Sequence, residues 1–466
     1  MLFPTFAFFV FFIVVWAAFW LVRDGRFRLV WLAVASAAFY SFWNPWFLIL
    51  IGCSTSVDYV VARRLPRTAR PAARRALVAM SISMNLAVLI VFKYSAFLAD
   101  SARSLAALAG IALVAPTVSL ILPLGISFYT FEAISYVVDV YRGRIQPARS
   151  LLHYAVFILF FPHLIAGPIV RGHEFLPQLD RRRRASWPRL EAAMRRFLLG
   201  LFKKVVFADR IGPIIDPVFA SPGAYGTMAV WAALLGYSVQ VYCDFSGYSD
   251  MAIAIAQAFD IKLPENFNLP YAARNIADYW RRWHMTLTRW LRDYVYIPLG
   301  GNRLGAARMY RNIILTFAIV GLWHGAAWHI VVWGVYHGVL VSLHRALSRA
   351  RPTSPLPDAV AIPCTYLSVI AGYAIFRTPS LQAGAVMLRR LVVPSGGLAL
   401  AAGDETVVLI LVALTLAAHV VGSRVDVDRL AWRLPAYAVG GALAAGVLLV
   451  QLLTPAGGPP FIYFQF

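Results

Sequence analysis

Apolar tracts of about 18 or more residues recur along the whole chain, and each is long enough to cross a ~30 Å hydrocarbon core. The clearest are 3–22, 76–92, 151–170, 227–243, 406–422 and 434–454, with shorter or interrupted tracts at 29–43, 105–140, 197–219 and 359–376. They predict an all-α polytopic integral membrane protein with about ten to twelve crossings or partial crossings. Composition agrees: 60% of the residues are hydrophobic and 14% charged, against roughly 25% charged in soluble domains. The first tract has no basic residue before it, and bulky Phe and Trp stand where a small-residue cleavage site would fall. It reads as a retained anchor rather than a secretory signal.

The formal net charge of +22 would point to nucleic acid in a soluble protein. Here the basic residues gather in short loops, most densely in "ARRLPRTARPAARR" (62–75) and "DRRRRASWPRLEAAMRR" (180–196). Juxtamembrane clusters of this kind mark cytoplasmic loops and attract anionic headgroups. No nucleic-acid motif accompanies them. The same face could also draw in an anionic cytosolic donor. Cys53, Cys243 and Cys364 are too few and too scattered for a disulfide framework or a zinc site. No linker or repeat divides the chain, so residues 1–466 are expected to form a single membrane-embedded domain, with the motif-bearing core at about 120–345.

Texture changes between Cys243 and Arg311, where charges recur every few residues. Within it, "IADYWRRWHMTLTRWLRDYVYI" presents one apolar and one basic side, the pattern of an interfacial or re-entrant helix. "PLGGNR" should end that helix. Next comes "NIILTFAIVGLWHGAAWHIVVWGVYHGVLVSLH", a long run without Lys, Arg, Asp or Glu. As one helix it would reach about 50 Å, so it should tilt, protrude or break near Gly321 and Gly325. Glycines so spaced also allow close backbone approach.

Four polar features sit where they are costly. They are His324 in "LWHGA", His284 in "RRWHMTLTRW", the aspartates Asp244 and Asp250 of "YCDFSGYSD", and the His163, Arg171, His173 and Glu174 of "FFPHLIAGPIVRGHEF". Intramembrane ionisable groups are functional candidates by default. Each also has a structural reading. His153, His329 and His337 fit histidines bonded to backbone carbonyls. Asp244 and Asp250 fit capping, or pairing with an arginine of the amphipathic segment. Arg281, Arg282 and Arg289 fit interfacial anchors, and His163 with its "AGPIVR" turn fits a structural break. Chemically, a neutral imidazole in a membrane cavity can take a proton from a hydroxyl as that oxygen attacks a carbonyl. No protein serine is then needed, and neither a G-x-S-x-G elbow nor S-x-x-K occurs. No H-E-x-x-H is present either, which leaves no recognisable metal-ligand spacing.

"DYWRRWHMTLTRWLRDYVYIPLGGNR" followed by "GLWHGAAWHIVVWGVYHG" resembles the signature of the membrane-bound O-acyltransferase (MBOAT) superfamily, and more narrowly its bacterial alginate O-acetyltransferase branch. "ILPLGISFYTFEAISYVVDVYRG", "KKVVFADRI" and the terminal "PFIYFQF" resemble that branch in the same order. The resemblance implies a helical bundle around a central tunnel, with His324 as catalytic histidine and His284 as the second histidine of the active site. Trp323, Trp283, Asp244, Arg281, Arg282 and Asn302 become candidates to line the tunnel or contact substrate. It further implies an acyl donor on the cytoplasmic side, acetyl-CoA or an acyl carrier protein, with no permanently bound cofactor. The acceptor would be an exported polysaccharide, reached directly or through a periplasmic acetyltransferase- or esterase-like partner, and the location a bacterial inner membrane. A transporter or polysaccharide export conduit using the histidines as proton relays is the rival reading, and a scaffold for an export complex is a third.

Overall fold

In the computed structural model, residues 3–113, 120–181, 183–350 and 356–425 are described, with isolated positions between 441 and 448. The tract 434–454 and the terminal "PFIYFQF" lie outside them, apart from those isolated positions. The described residues are helical, without named strands. Four helical stretches combine spanning length with apolar character: Pro71–Leu108, Trp328–Ala350, Asp358–Arg377 and Ala402–Gly422. The chain packs as two compact units, Met1–Met194 with Ala252–Pro264, and Arg195–Met251 with Glu265–Phe466. The segment 120–345 therefore contributes to both.

In the first unit, the apolar tract 151–170 is not one spanning helix. The helix Leu151–Leu159 stops after 9 residues, and Phe160 to Val170 continue without regular helix yet wholly buried. Pro162, Gly167 and Pro168 explain the break, since proline cannot sustain the i to i−4 ladder. Irregular backbone at membrane depth must be enclosed by protein, and this segment is. Phe161 packs against Phe11, Phe39 and Phe259 at ring separations of 5.4, 5.6 and 6.0 Å. His163 Nδ1 lies 3.1 Å from Oε1 of buried Glu132, and that oxygen also accepts from the Val170 amide. Glu132, on the helix Ile126–Tyr141, thus ties both ends of the irregular segment together.

The second unit contains the long polar-apolar run, and it breaks where the glycines stand. Helix Ala306–His324 ends at Gly325, and helix Trp328–Ala350 returns alongside it. A Cβ on Gly321 would lie 2.3 Å from the Ile330 carbonyl oxygen, and one on Gly334 would lie 2.1 Å from that of Phe317. The two backbones therefore touch, and the charge-free run folds into an antiparallel hairpin.

The amphipathic segment departs from expectation. It is not one helix but two short ones, Ile276–Arg282 and Met285–Leu291, with His284 between them at φ 41°, ψ 53°. That left-handed conformation is rare for a residue with a Cβ and costs about 1–3 kcal/mol, so its surroundings must hold it in place. The turn after Pro298 is as expected, with Gly300 and Gly301 at φ 102° and 56°.

Candidate active site

What holds His284 is Asn266. The Met285 amide donates to the Asn266 carbonyl oxygen at 2.9 Å. The Asn266 side-chain Oδ1 then accepts from Thr286 Oγ1 at 2.9 Å and from the Thr286 amide at 3.4 Å. A backbone N–H can only donate, so this amide atom is the oxygen and cannot be the nitrogen. His284 Nδ1 lies 3.0 Å from the same oxygen and must carry the proton. The neutral ring accordingly has its lone pair on Nε2, which has no hydrogen-bond partner among the described residues. Asn266 Nδ2 donates in turn to Ser249 Oγ at 3.2 Å, on the long helix Thr227–Ala258. His284 is fully buried, edge-on to Phe245 at 4.7 Å.

His324 is the last residue of its helix and is buried. Its ring lies 4.8 Å from Trp323, 5.3 Å from Trp333 and 5.8 Å from Phe376. The His284 ring is 5.9 Å from the same Trp323 indole. Two imidazoles from separate elements thus meet on one tryptophan, and the sum of those two distances bounds their separation.

A third imidazole stands in this group, and its expected bond to a backbone carbonyl is not made. His337 is buried, and both of its ring nitrogens have no hydrogen-bond partner among the described residues; it is not a histidine bonded to a backbone carbonyl. Its ring lies 5.0 Å from Trp333 and 5.2 Å from Trp280. Indoles and imidazoles therefore alternate from His284 through Trp323, His324 and Trp333 to His337. His419 shows the structural pattern instead, donating from Nδ1 to the Thr415 carbonyl at 2.8 Å. His153 is half-buried and held by Ser150 at 2.8 Å and Asp180 at 3.2 Å, again not by a carbonyl.

The other candidates separate. Trp283 is buried but turns to Phe267 at 5.0 Å and Tyr279 at 5.7 Å. Nearby, the Tyr279 and Tyr373 hydroxyls lie 3.1 Å apart and Tyr271 donates to the Ser238 carbonyl. Arg281 is exposed and Arg282 half-buried, and both pair with Asp278, at 3.4 and 3.1 Å. Burial alone would raise the Asp278 carboxyl, but the Arg282 hydrogen bond and the Arg274 amide hold it below its usual value. Asn302 is exposed in the glycine turn.

Asp244 is a counter-ion, but to Lys204 rather than to an arginine of the amphipathic segment. Lys204 Nζ lies 2.6 Å from Asp244 and 2.7 Å from Asp209, all three buried. Asp250 similarly receives Lys203 at 2.7 Å and Arg196 at 2.9 Å. Glycine explains the closeness: a Cβ on Gly247, midway between the two aspartates, would lie 2.6 Å from the Gly200 carbonyl oxygen. The pair of lysines in an apolar stretch was the available sequence signal. Asn266, in the loop "LPENFNLP", gave none.

The family model described as MBOAT, membrane-bound O-acyltransferase family, matches residues 148–378, which include His284, His324 and His337. Probable alginate O-acetylase AlgI of Azotobacter vinelandii is 38% identical over 386 residues, 82% of this chain and 76% of that protein. Peptidoglycan O-acetyltransferase of Helicobacter pylori is 38% identical over 398 residues, 79% of this chain and 75% of that protein. Teichoic acid D-alanyltransferase of Bacillus subtilis is 29% identical over 285 residues, 56% of this chain and 70% of that protein. A helical membrane protein with these relatives is an acyltransferase, and the chain belongs to the membrane-bound O-acyltransferase family.

Proposed function

We propose that the protein moves an acyl group, acetyl in the first instance, from a cytoplasmic thioester to a hydroxyl of an exported polysaccharide. The observation that carries this reading is the meeting of His284 and His324 on Trp323. The acceptor oxygen attacks the thioester carbonyl as His324 takes its proton; the carbon–sulfur bond then breaks, and the proton passes to the departing thiolate. His284 faces the reacting group with the lone pair of Nε2, so it accepts a hydrogen bond and orients the hydroxyl. The donor is acetyl-CoA or an acyl carrier protein, and the setting a bacterial inner membrane. The relatives' names specify alginate and peptidoglycan as acetylated polymers, which supports a glycan acceptor, used directly or through a periplasmic partner.

The test is acetyl transfer from radiolabelled donor by the full-length protein in detergent or vesicles. His324→Gln should lower the rate by about 10²–10⁴-fold while the melting temperature holds. A variant as active as wild type removes His324 from the mechanism. Absence of transfer by wild type with either donor, alone or with its periplasmic partner, favours a conduit.

A further inference from the structure

A cavity of about 1360 Å³ opens in the first unit, away in sequence from every residue of the acyl-transfer site. It is lined by Arg23, Arg26, Arg28, Arg181, Arg183 and Arg184, against only Asp24 and Asp180. Those two acids are already engaged. Asp24 Oδ1 caps the Phe27 amide at 2.6 Å, and Asp180 is shared by Arg149 at 3.0 Å and His153 at 3.2 Å. Asp260, also in this unit, pairs with Arg189 at 3.2 Å.

Two of these arginines, Arg28 and Arg183, are held in place, while Arg23, Arg26, Arg181 and Arg184 are exposed. Arg28 donates from Nε to the carbonyls of Phe19 and Val22 at 2.9 and 2.8 Å, and from Nη1 to that of Arg183 at 3.1 Å. Arg183 donates from Nη2 to the Gln178 carbonyl, while its buried Nε has no acceptor among the described residues. Burial pushes the Arg183 guanidinium down to about 10; Asp260 opposes this, and the like charges of Arg28, Arg181 and Arg189 add to it. A bound anion would relieve both the repulsion and the missing acceptor.

Apart from Ser150 and His153 the rest of the lining is apolar, including Phe19, Trp20, Leu29 and Leu32. Arg23 stands in the turn between the apolar helix Phe6–Leu21 and the helix Gly25–Ser41, and Arg26 and Arg28 lie in the first turn of the latter; basic residues flanking an apolar helix are placed to meet headgroups. Arginine-rich loops face the cytoplasm, and that leaflet carries anionic lipid. We propose that this recess binds an anionic phospholipid, its phosphate among the arginines and its hydrocarbon against Phe19, Trp20, Leu29 and Leu32. An anionic phospholipid combines both features in one molecule; a soluble phosphorylated cofactor shares only the phosphate.

Native mass spectrometry of the full-length protein, incubated separately with phosphatidylglycerol, phosphatidylethanolamine and coenzyme A, reads binding without reference to acyl transfer. Phosphatidylglycerol should be retained about tenfold over phosphatidylethanolamine, and Arg26→Gln with Arg181→Gln and Arg184→Gln should abolish the preference. These three side chains are exposed, so the variant should keep its melting temperature; Arg184→Gln alone should give a smaller loss in the same direction. Coenzyme A retained in place of phosphatidylglycerol, and lost in the same variant, overturns the lipid assignment and gives the arginines to a soluble phosphate ligand. Equal retention of the two lipids, retention unchanged in the triple variant, or no retention of any of the three also overturns the proposal.

Discussion

Two buried polar regions of the second unit solve the same problem in opposite ways. Around Lys203 and Lys204, charge meets charge: Asp209, Asp244 and Asp250 are each within 2.7 Å of an ammonium. Around Trp323 and Trp333, imidazoles lie among indoles, and no salt bridge to His284 or His337 is found among the described residues. Paired charges lock a geometry and leave little to react. Neutral imidazoles among aromatic faces keep a lone pair for chemistry, at the cost of weakly satisfied nitrogens. The difference separates what holds helices together from what can accept a proton.

The sharpest way to break this comparison is to remove the lysine that two carboxylates share. Lys204→Met should destabilise the protein by about 3–5 kcal/mol, because it strands buried charge. Adding Asp209→Asn and Asp244→Asn should restore most of the loss in a thermal or denaturant unfolding assay. Restoration of folding with full acyl transfer would show that Asp244 acts only as a counter-ion. Less drastic is His337→Phe, which removes two buried nitrogens without hydrogen-bond partners and keeps a ring against Trp333. Stability should hold or rise by about 1 kcal/mol, while turnover falls about tenfold through the displaced Trp333 and His324. Unchanged turnover would place His337 with packing alone. The smallest effect belongs to the surface. Asp278→Asn should cost about 0.3–1 kcal/mol at neutral pH. The carboxyl is held below its usual value, so the difference from wild type should persist through mild acid. It should vanish only as pH falls through that lowered value, where the wild-type side chain also protonates.

How much of this was legible in the sequence depends on what kind of signal each residue leaves. The break near Gly325 was one of three outcomes the run allowed, beside tilting and protruding, because a run too long for the bilayer carries glycines there; the hairpin itself was not specified. The burial of His324 and His284 in a protein interior was also legible, since imidazoles in apolar sequence are costly unless enclosed. The break of the amphipathic segment at His284 was not. Periodicity continues through residue 284, and only the long-range bonds from Asn266 impose a left-handed residue there. The tract 151–170 misled for a related reason: hydropathy cannot distinguish burial in lipid from burial among phenylalanines. Asp244 read as tunnel-lining or arginine-bound because its partner Lys204 lies forty residues upstream on another helix segment.

The contact between the two arms of the hairpin has a practical consequence for anyone engineering this enzyme. Replacing glycine by alanine in helices is a routine route to thermal robustness, since it narrows the unfolded ensemble. At Gly321 and Gly334 even one methyl group would collide with a main-chain oxygen of the opposite arm. The displaced arm carries His324 at its tip, so libraries built for hardiness should leave these positions out or expect to lose turnover first.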